Sequence, residues 1–94
     1  LAPKEFRDTV RYPVIHVGGE GSEALLVTST GSFDLFCRQR FGWRSKLAGL
    51  DGRKIVVIGR SRVIHGKYRH YYTAIDVVSV AIEADPQSPN RTIE

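Results

Sequence analysis

The 94-residue chain is poor in several residue types, and each shortage excludes a class of protein. Its one cysteine, Cys37, cannot form an internal disulfide, so the fold must depend on an apolar core. The cysteine count leaves the compartment undecided, with a cytoplasmic location favoured. No apolar run approaches the roughly 18–20 residues that a helix needs to cross a bilayer, so we expect no membrane span. The chain is also too short for a two-domain enzyme with a cleft between its lobes, because one domain usually takes roughly 100–200 residues.

Side-chain combinations that carry out catalysis are missing from the sequence. Cys37 alternates with apolar residues, as a small buried side chain does, and no base or oxyanion site is indicated beside it. Asp34, Asp76 and Glu83 each stand alone among apolar strand residues, which offers no acid–base pair. We therefore expect a protein without enzymatic activity.

Patterns for metal binding and for phosphate loops are equally weak. His65 and His70 lie in one predicted hairpin, far in sequence from His16, and no second cysteine or nearby carboxylate accompanies them. The glycine-rich segment 18–21, GGEG, lacks the lysine and the helix of a phosphate-binding loop, and we interpret it as a turn. We expect no metal ion and no cofactor.

The charge of the chain is small overall but unevenly distributed. Fourteen Lys and Arg residues stand against ten Asp and Glu residues, for a net charge of +4. Residues 38–70 contain ten basic residues and one acidic residue, so this segment carries +9, whereas residues 1–37 carry −2 and residues 71–94 carry −3. A basic block between mildly acidic flanks indicates an anionic partner.

The hydrophobic pattern predicts a mostly β chain with five strands and one short helix. The strands are predicted at residues 10–17, 24–29, 32–39, 54–64 and 71–83, and the helix at residues 41–52. Pro13 should interrupt the first strand, Gly59 should bend the fourth at a bulge, and Gly66 should supply the unusual backbone angle of the hairpin that follows. Trp43 is in helical phase with the leucines after it, which favours a core position.

Five short strands in this order close most simply into a barrel, because closure leaves no long hydrophobic edge exposed. The order β-β-β-α-β-β, with the helix between strands three and four, is that of the OB-fold, a small five-stranded all-β barrel. A split sandwich remains the alternative. The single barrel domain is predicted to occupy residues 1–85, and the polar residues 86–94 to form a flexible tail.

Residues 35–80, about half of the chain, carry a pattern that resembles a known family. The run LFCRQRFG at residues 35–42 is followed, beyond the helix, by Gly52, the apolar run 55–58, Gly59-Arg60, Gly66-Lys67 and the apolar run 75–78. This pattern resembles the second half of bacterial single-stranded DNA-binding proteins and of the related primosomal replication protein. The resemblance implies an OB-fold that binds single-stranded DNA, although the family's first-strand pattern and acidic C-terminal tip have no counterpart here.

The basic block is interleaved with aromatic residues, and this combination is the main candidate site. Single-stranded nucleic acid, DNA or RNA, is held by cations along its phosphates and by bases stacked on aromatic faces. Strand alternation places Arg60 and Arg62 on one face, beside the loops that bind oligonucleotides in OB-folds. The predicted site consists of Arg38, Arg40, Arg44, Lys46, Arg60, Arg62, Lys67, Tyr68, Arg69 and Tyr71.

Other interpretations of the same features remain open. Exposed Lys and Arg residues also keep sheet edges from associating, and a basic composition can serve solubility alone. A second hypothesis is a protein-interaction or homo-oligomerisation module in which residues 10–17 pair with another chain. A third is a barrel that binds an acidic saccharide or a membrane surface through the same arginines.

Overall fold

A computed structural model of the chain describes residues 2–37 and 43–83, with the backbone alone described at residues 43 and 44. Its elements are β1 (Lys4–Arg11), β2 (Leu25–Thr28), β3 (Gly31–Cys37), α1 (Trp43–Ala48), β4 (Lys54–His65) and β5 (Tyr71–Ile82). One turn of 3-10 helix (Val17–Gly19) lies between β1 and β2. The predicted all-β class, with one short helix between strands three and four, is confirmed. The predicted tail, residues 86–94, lies outside the described residues.

The five strands form one closed barrel in the order β1-β2-β3-β5-β4. Strands β3 and β5 run parallel, and the other neighbouring pairs are antiparallel, including the β1–β4 pair that closes the barrel. This connectivity is that of the OB-fold. The chain is therefore a small OB-like barrel and not the alternative split sandwich.

Alternate residues of the strands point into the barrel and form its core. The largest fully buried apolar side chains are Val10 of β1, Leu26 of β2, Ile55 and Val57 of β4, and Ile75 of β5. Cys37 packs against this core, as its alternation predicts, but it is half-buried and not fully buried. Because the chain has one cysteine and no internal disulfide, burial of this apolar surface is its principal source of stability.

Helix α1 contributes to the core through the residues at its end. The helix ends at Ala48, short of the predicted residue 52. Leu47 in its last turn and Leu50 in the turn that follows are both buried against the barrel, whereas the side chain of Trp43 lies outside the described part of the structure. Gly52, with a φ of 82°, turns the chain from the helix into β4. Within residues 2–37 and 43–83, no helix is both long enough and apolar enough to cross a membrane.

A bulge divides the long β4–β5 pair, as the glycine in β4 predicts. The register between the two strands shifts between Ile58 and Gly59, where the pairing passes from Ser79 to Val77. A Cβ atom at Gly59 would collide with the backbone oxygen of Asp76, so only glycine fits at this approach.

The predicted first strand is wrong in position. Strand β1 covers Lys4–Arg11, whereas residues 12–17 belong to the connection to β2. Pro13 has no N–H to donate to a ladder, and the apolar residues after it are exposed, Ile15 at 94% and Val17 at 61%. Strand β1 is not evident from the sequence because most of its residues are charged or polar, and only Phe6 and Val10 give an apolar inner face. Because residues 12–17 are not part of a strand, they do not offer the strand edge on which the hypothesis of pairing with another chain through residues 10–17 depends.

The hairpin between β4 and β5 also differs from expectation in its glycine. The left-handed backbone angle falls on His70, with a φ of 61°, and not on Gly66. Gly66 is required for another reason, because a Cβ atom there would collide with the carboxylate of Glu20. A contact distant in sequence, invisible to local turn rules, therefore explains this glycine.

Candidate functional site

Beyond the bulge, the β4–β5 pair continues as a hairpin ribbon, defined here as residues 60–76, in which β3 still pairs with β5 at residues 74–76. Strand β1 pairs with β4 only up to Gly59, so the later residues of β4 pair with β5 alone among the described strands. The register places residues 60, 62 and 64 on one face with residues 72, 74 and 76 of β5. Residues 61, 63 and 65 share the other face with residues 71 and 73. We call these the outer and inner faces, since the inner face continues the core side of the barrel.

The outer face carries the predicted pair Arg60 and Arg62, two residues apart. The guanidinium of Arg62 donates to Asp76 through Nε at 2.7 Å and through Nη2 at 3.2 Å, and this hydrogen bonding raises the pKa of Arg62. The same guanidinium lies 5.8 Å from the centre of the Phe36 ring. Arg60 is exposed and stands across the ladder from the same aspartate. The aspartate therefore offsets part of the positive charge of this face.

The inner face of the ribbon carries exposed aromatic and apolar side chains. The rings of His65 and Tyr71 are stacked, with centres 4.4 Å apart and an angle of 14° between their planes. Tyr71 is 69% exposed and Val63 is 67% exposed. Because Tyr71 faces away from Arg60 and Arg62, the predicted site residues do not converge on one face of the sheet.

The tip of the ribbon is loop L45, residues 66–70, which brings a cation and an aromatic ring together. The ammonium of Lys67 lies 5.6 Å from the centre of the Tyr68 ring, and both side chains are exposed. The ring also lies against Gly18 of loop L12, residues 12–24, where a Cβ atom would collide with it. Tyr68 therefore lies against the backbone of loop L12 while half of its surface faces solvent.

Loop L45 is held to loop L12 by the carboxylate of Glu20. Its oxygens accept backbone N–H bonds from Lys67 at 2.7 Å, from Tyr68 at 2.6 Å and from Arg69 at 3.0 Å. These bonds, that from Tyr68 foremost, lower the pKa of Glu20 against the opposing effect of desolvation. Three consecutive N–H groups directed at one anion form the concavity known as a nest.

A buried ion pair lies beneath this contact. Asp34 is fully buried, and its two oxygens accept from Nη1 and Nη2 of Arg69 at 2.7 and 2.9 Å. The side chain of Arg69 is 16% exposed, and its guanidinium also lies 3.9 Å from the centre of the Tyr72 ring. Hydrogen bonding to Asp34 raises the pKa of Arg69. Arg69 thus holds loop L45 on β3, and its predicted contact with nucleic acid stays a prediction.

Two residues of loop L12 complete the surroundings of Asp34. The backbone N–H of Ser22 donates to Asp34 Oδ2 at 2.9 Å, and His16 Nε2 lies 3.4 Å from the same oxygen. The hydroxyl of Ser22 donates to the backbone oxygen of Leu35 at 2.6 Å, and His16 Nε2 lies 2.8 Å from the backbone oxygen of Ser22. The hydroxyl is thus directed at a carbonyl and not at the imidazole, so this cluster fastens the loop to β3.

Several predicted site residues lie away from the ribbon or outside the described chain. Lys46 is exposed on α1. Arg38 and Arg40 lie outside the described residues, as does the side chain of Arg44. No group of three or more His, Cys, Asp or Glu side chains within the described ranges is placed to hold a metal ion.

Sequence reasoning missed the residues that join the two loops. Local sequence patterns present Asp34 as an isolated strand carboxylate, His16 as a distant histidine and Glu20 as part of a turn. The one sequence signal for this region is the three glycines around Glu20, at positions 18, 19 and 21, all of which adopt positive φ angles in the structure.

No family model, curated protein or solved structure matches this chain.

Proposed function

We propose that this chain binds single-stranded nucleic acid along the hairpin ribbon and the joined loops L12 and L45. OB-folds use the strand 2–3 face and these two loops to hold oligonucleotides. The observation that carries the proposal is the exposed cation and ring at the tip, Lys67 beside Tyr68, on a loop that is fastened in place. The proposal puts the chain in the functional class of the single-stranded DNA-binding proteins that its sequence resembles.

The tip and the inner face supply rings on which bases can stack. Tyr68 is 50% exposed and Tyr71 is 69% exposed, so each offers a ring surface to a base. Stacking on an aromatic side chain contributes about 1–3 kcal/mol per base and tolerates any sequence. The stack of Tyr71 on His65 stiffens one of these rings before a ligand arrives.

Cations on the ribbon supply contacts to phosphate. Lys67 at the tip and Arg60 on the outer face are exposed. A single nucleic-acid strand that contacts both residues would run along the ribbon from its tip towards the barrel. Arg62 and Arg69 are assigned a structural role in this proposal, because Asp76 and Asp34 respectively bind their guanidinium groups. Lys67 and the two tyrosines are therefore the residues whose loss should weaken binding most directly.

Fluorescence anisotropy of a labelled oligo-dT strand tests the proposal at low and high salt. We expect binding that weakens as salt rises, a loss of roughly fivefold or more in affinity for Tyr68→Ala, and a smaller salt dependence for Lys67→Glu. Lys54→Glu is the matched control, because Lys54 is an exposed cation at the opposite end of β4. Absence of binding at about 50 mM salt, or equal effects of Lys67→Glu and Lys54→Glu, would contradict the proposal.

One observation favours a second candidate function, self-association through a sheet edge. Along residues 61–65, the edge of β4 turned away from β5 faces no other strand within the described residues, and Val63 is exposed beside it. Such an edge is a template for antiparallel pairing with a second copy. Sedimentation velocity should then show a dimer that Val63→Lys dissociates, and a monomer at every concentration tested would remove this candidate.

A further inference from the structure

Loop L45 binds an anion through its backbone. The N–H groups of Lys67, Tyr68 and Arg69 all donate to one carboxylate, that of Glu20, at 2.6–3.0 Å. Nests of this kind bind phosphate in many proteins, because successive N–H dipoles present a concentrated positive potential. Here the occupant of the nest is a side chain of the protein itself.

We propose that this nest is a phosphate-binding site and that Glu20 is its built-in occupant, which a phosphate of the bound nucleic acid displaces. The inference rests on the proposed function and adds to it the place where one phosphate is held. It also gives loop L12 a regulatory role, since this loop covers the site in the absence of ligand.

The electrostatics of the nest favour an anion over a neutral group. The three N–H bonds lower the pKa of Glu20, so the nest stabilises the ionised carboxylate. Lys67 is itself in loop L45, and its exposed ammonium would add a charge-assisted contact to a phosphate. A backbone phosphodiester carries one negative charge on two non-bridging oxygens, as the Glu20 carboxylate does, so it can accept the same N–H bonds, and the contact with Lys67 is what lets it compete.

The segment that carries Glu20 has the backbone freedom to release it. Gly18, Gly19 and Gly21 adopt φ angles of 66°, 68° and 107°, a region that other residues seldom occupy. Gly18 also lies against the ring of Tyr68. If Gly18 withdraws together with Glu20, more of this ring becomes exposed to a base, and phosphate binding and stacking are then coupled.

Two isosteric variants test the inference on the full chain with a labelled oligo-dT strand. Glu20→Gln removes the charge that competes for the nest, and Glu23→Gln removes a charge from the same loop without touching the nest. We expect Glu20→Gln to bind the strand more tightly than Glu23→Gln. Both plots of log affinity against log salt should have the same slope, because the displaced carboxylate leaves the same phosphate contact in each complex. Equal affinities for the two variants would overturn the inference.

A second measurement uses inorganic phosphate and the backbone amide resonances of Lys67, Tyr68 and Arg69. In Glu20→Gln, phosphate should shift these amides with saturation, whereas Glu23→Gln should require much higher concentrations. If Glu20→Gln loosens the loop, phosphate should restore the protection of these amides against hydrogen exchange. If phosphate causes neither a saturable shift of these amide resonances nor a recovery of their protection, Glu20 serves only to hold the two loops together, and the inference is overturned.

The two measurements separate this inference from the proposed function. Strand binding by the unmodified chain, with no phosphate response in Glu20→Gln, would leave the nucleic-acid function in place and remove the nest. Phosphate binding in Glu20→Gln without binding of any strand would retain the anion site and remove the nucleic-acid function, and with it the displacement by a nucleic-acid phosphate.

Discussion

The two halves of the β4–β5 pair are stabilised by different kinds of interaction. Before the bulge, β4 contributes Ile55 and Val57 to the closed apolar core, and both are fully buried. After the bulge, the ribbon is held by carboxylates, with Asp76 on Arg62, Asp34 on Arg69 and Glu20 on the backbone of loop L45. The comparison teaches that the barrel and the candidate interface can be perturbed separately, because one depends on apolar burial and the other on charge.

The largest effect should come from the barrel half. Ile55→Ala removes a fully buried side chain and should lower the free energy of unfolding by about 2–5 kcal/mol, measured by urea denaturation. Ile82→Ala is the matched control, because Ile82 is the cross-strand partner of Ile55 yet is 52% exposed. Equal losses for the two variants would mean that the core does not close around Ile55.

Within the ribbon, buried and exposed ion pairs should differ. Asp34→Asn leaves the largely buried guanidinium of Arg69 without its charged partner and should cost about 1–3 kcal/mol of stability. Asp76→Asn breaks the more exposed pair with Arg62, whose side chain is 50% exposed, and should cost about 0–1 kcal/mol. Urea denaturation of both variants measures the two losses in the free energy of unfolding. A larger loss for Asp76→Asn than for Asp34→Asn would contradict the prediction.

The contact of Glu20 with loop L45 should depend on pH. Because the pKa of Glu20 is lowered in the folded protein, its contribution is complete above the unfolded value of about 4.3 and is lost as the pH falls through the folded value. The amide resonances of Lys67 and Tyr68 should therefore shift as the pH falls below the unfolded pKa of the carboxyl group. Glu20→Gln should abolish this transition, and its persistence in that variant would assign the transition to another group.

The smallest effect concerns Cys37 at the edge of the barrel core. Burial raises the pKa of its thiol to about 11, so the reactive thiolate is scarce at neutral pH. Alkylation of the folded chain should be slow and should accelerate as the pH approaches that value. Rapid labelling at neutral pH, equal to that of the chain in urea, would show that the core side of β3 is open.

Local patterns in the sequence were sufficient for much of the barrel. Alternation identified β2, β4 and β5 within a few residues, and Gly59 marked the bulge. Prediction failed at β1, where charged residues diluted the inner-face signal and the exposed run around Ile15 imitated a strand. The register-based part of the site, Arg60 and Arg62 on one face, was also predictable, because strand alternation is a local property.

The sequence by itself determined a small single-cysteine β protein, its order of elements and the basic character of residues 38–70. Only the tertiary structure decided which charges face solvent and which hold the fold. Arg69 and Lys67 are near neighbours of the same charge, yet Asp34 engages the first while the second remains exposed at the tip. Glu20 meets loop L45 across 47–49 positions of sequence. Contacts of this range arise from barrel closure, which no local pattern records.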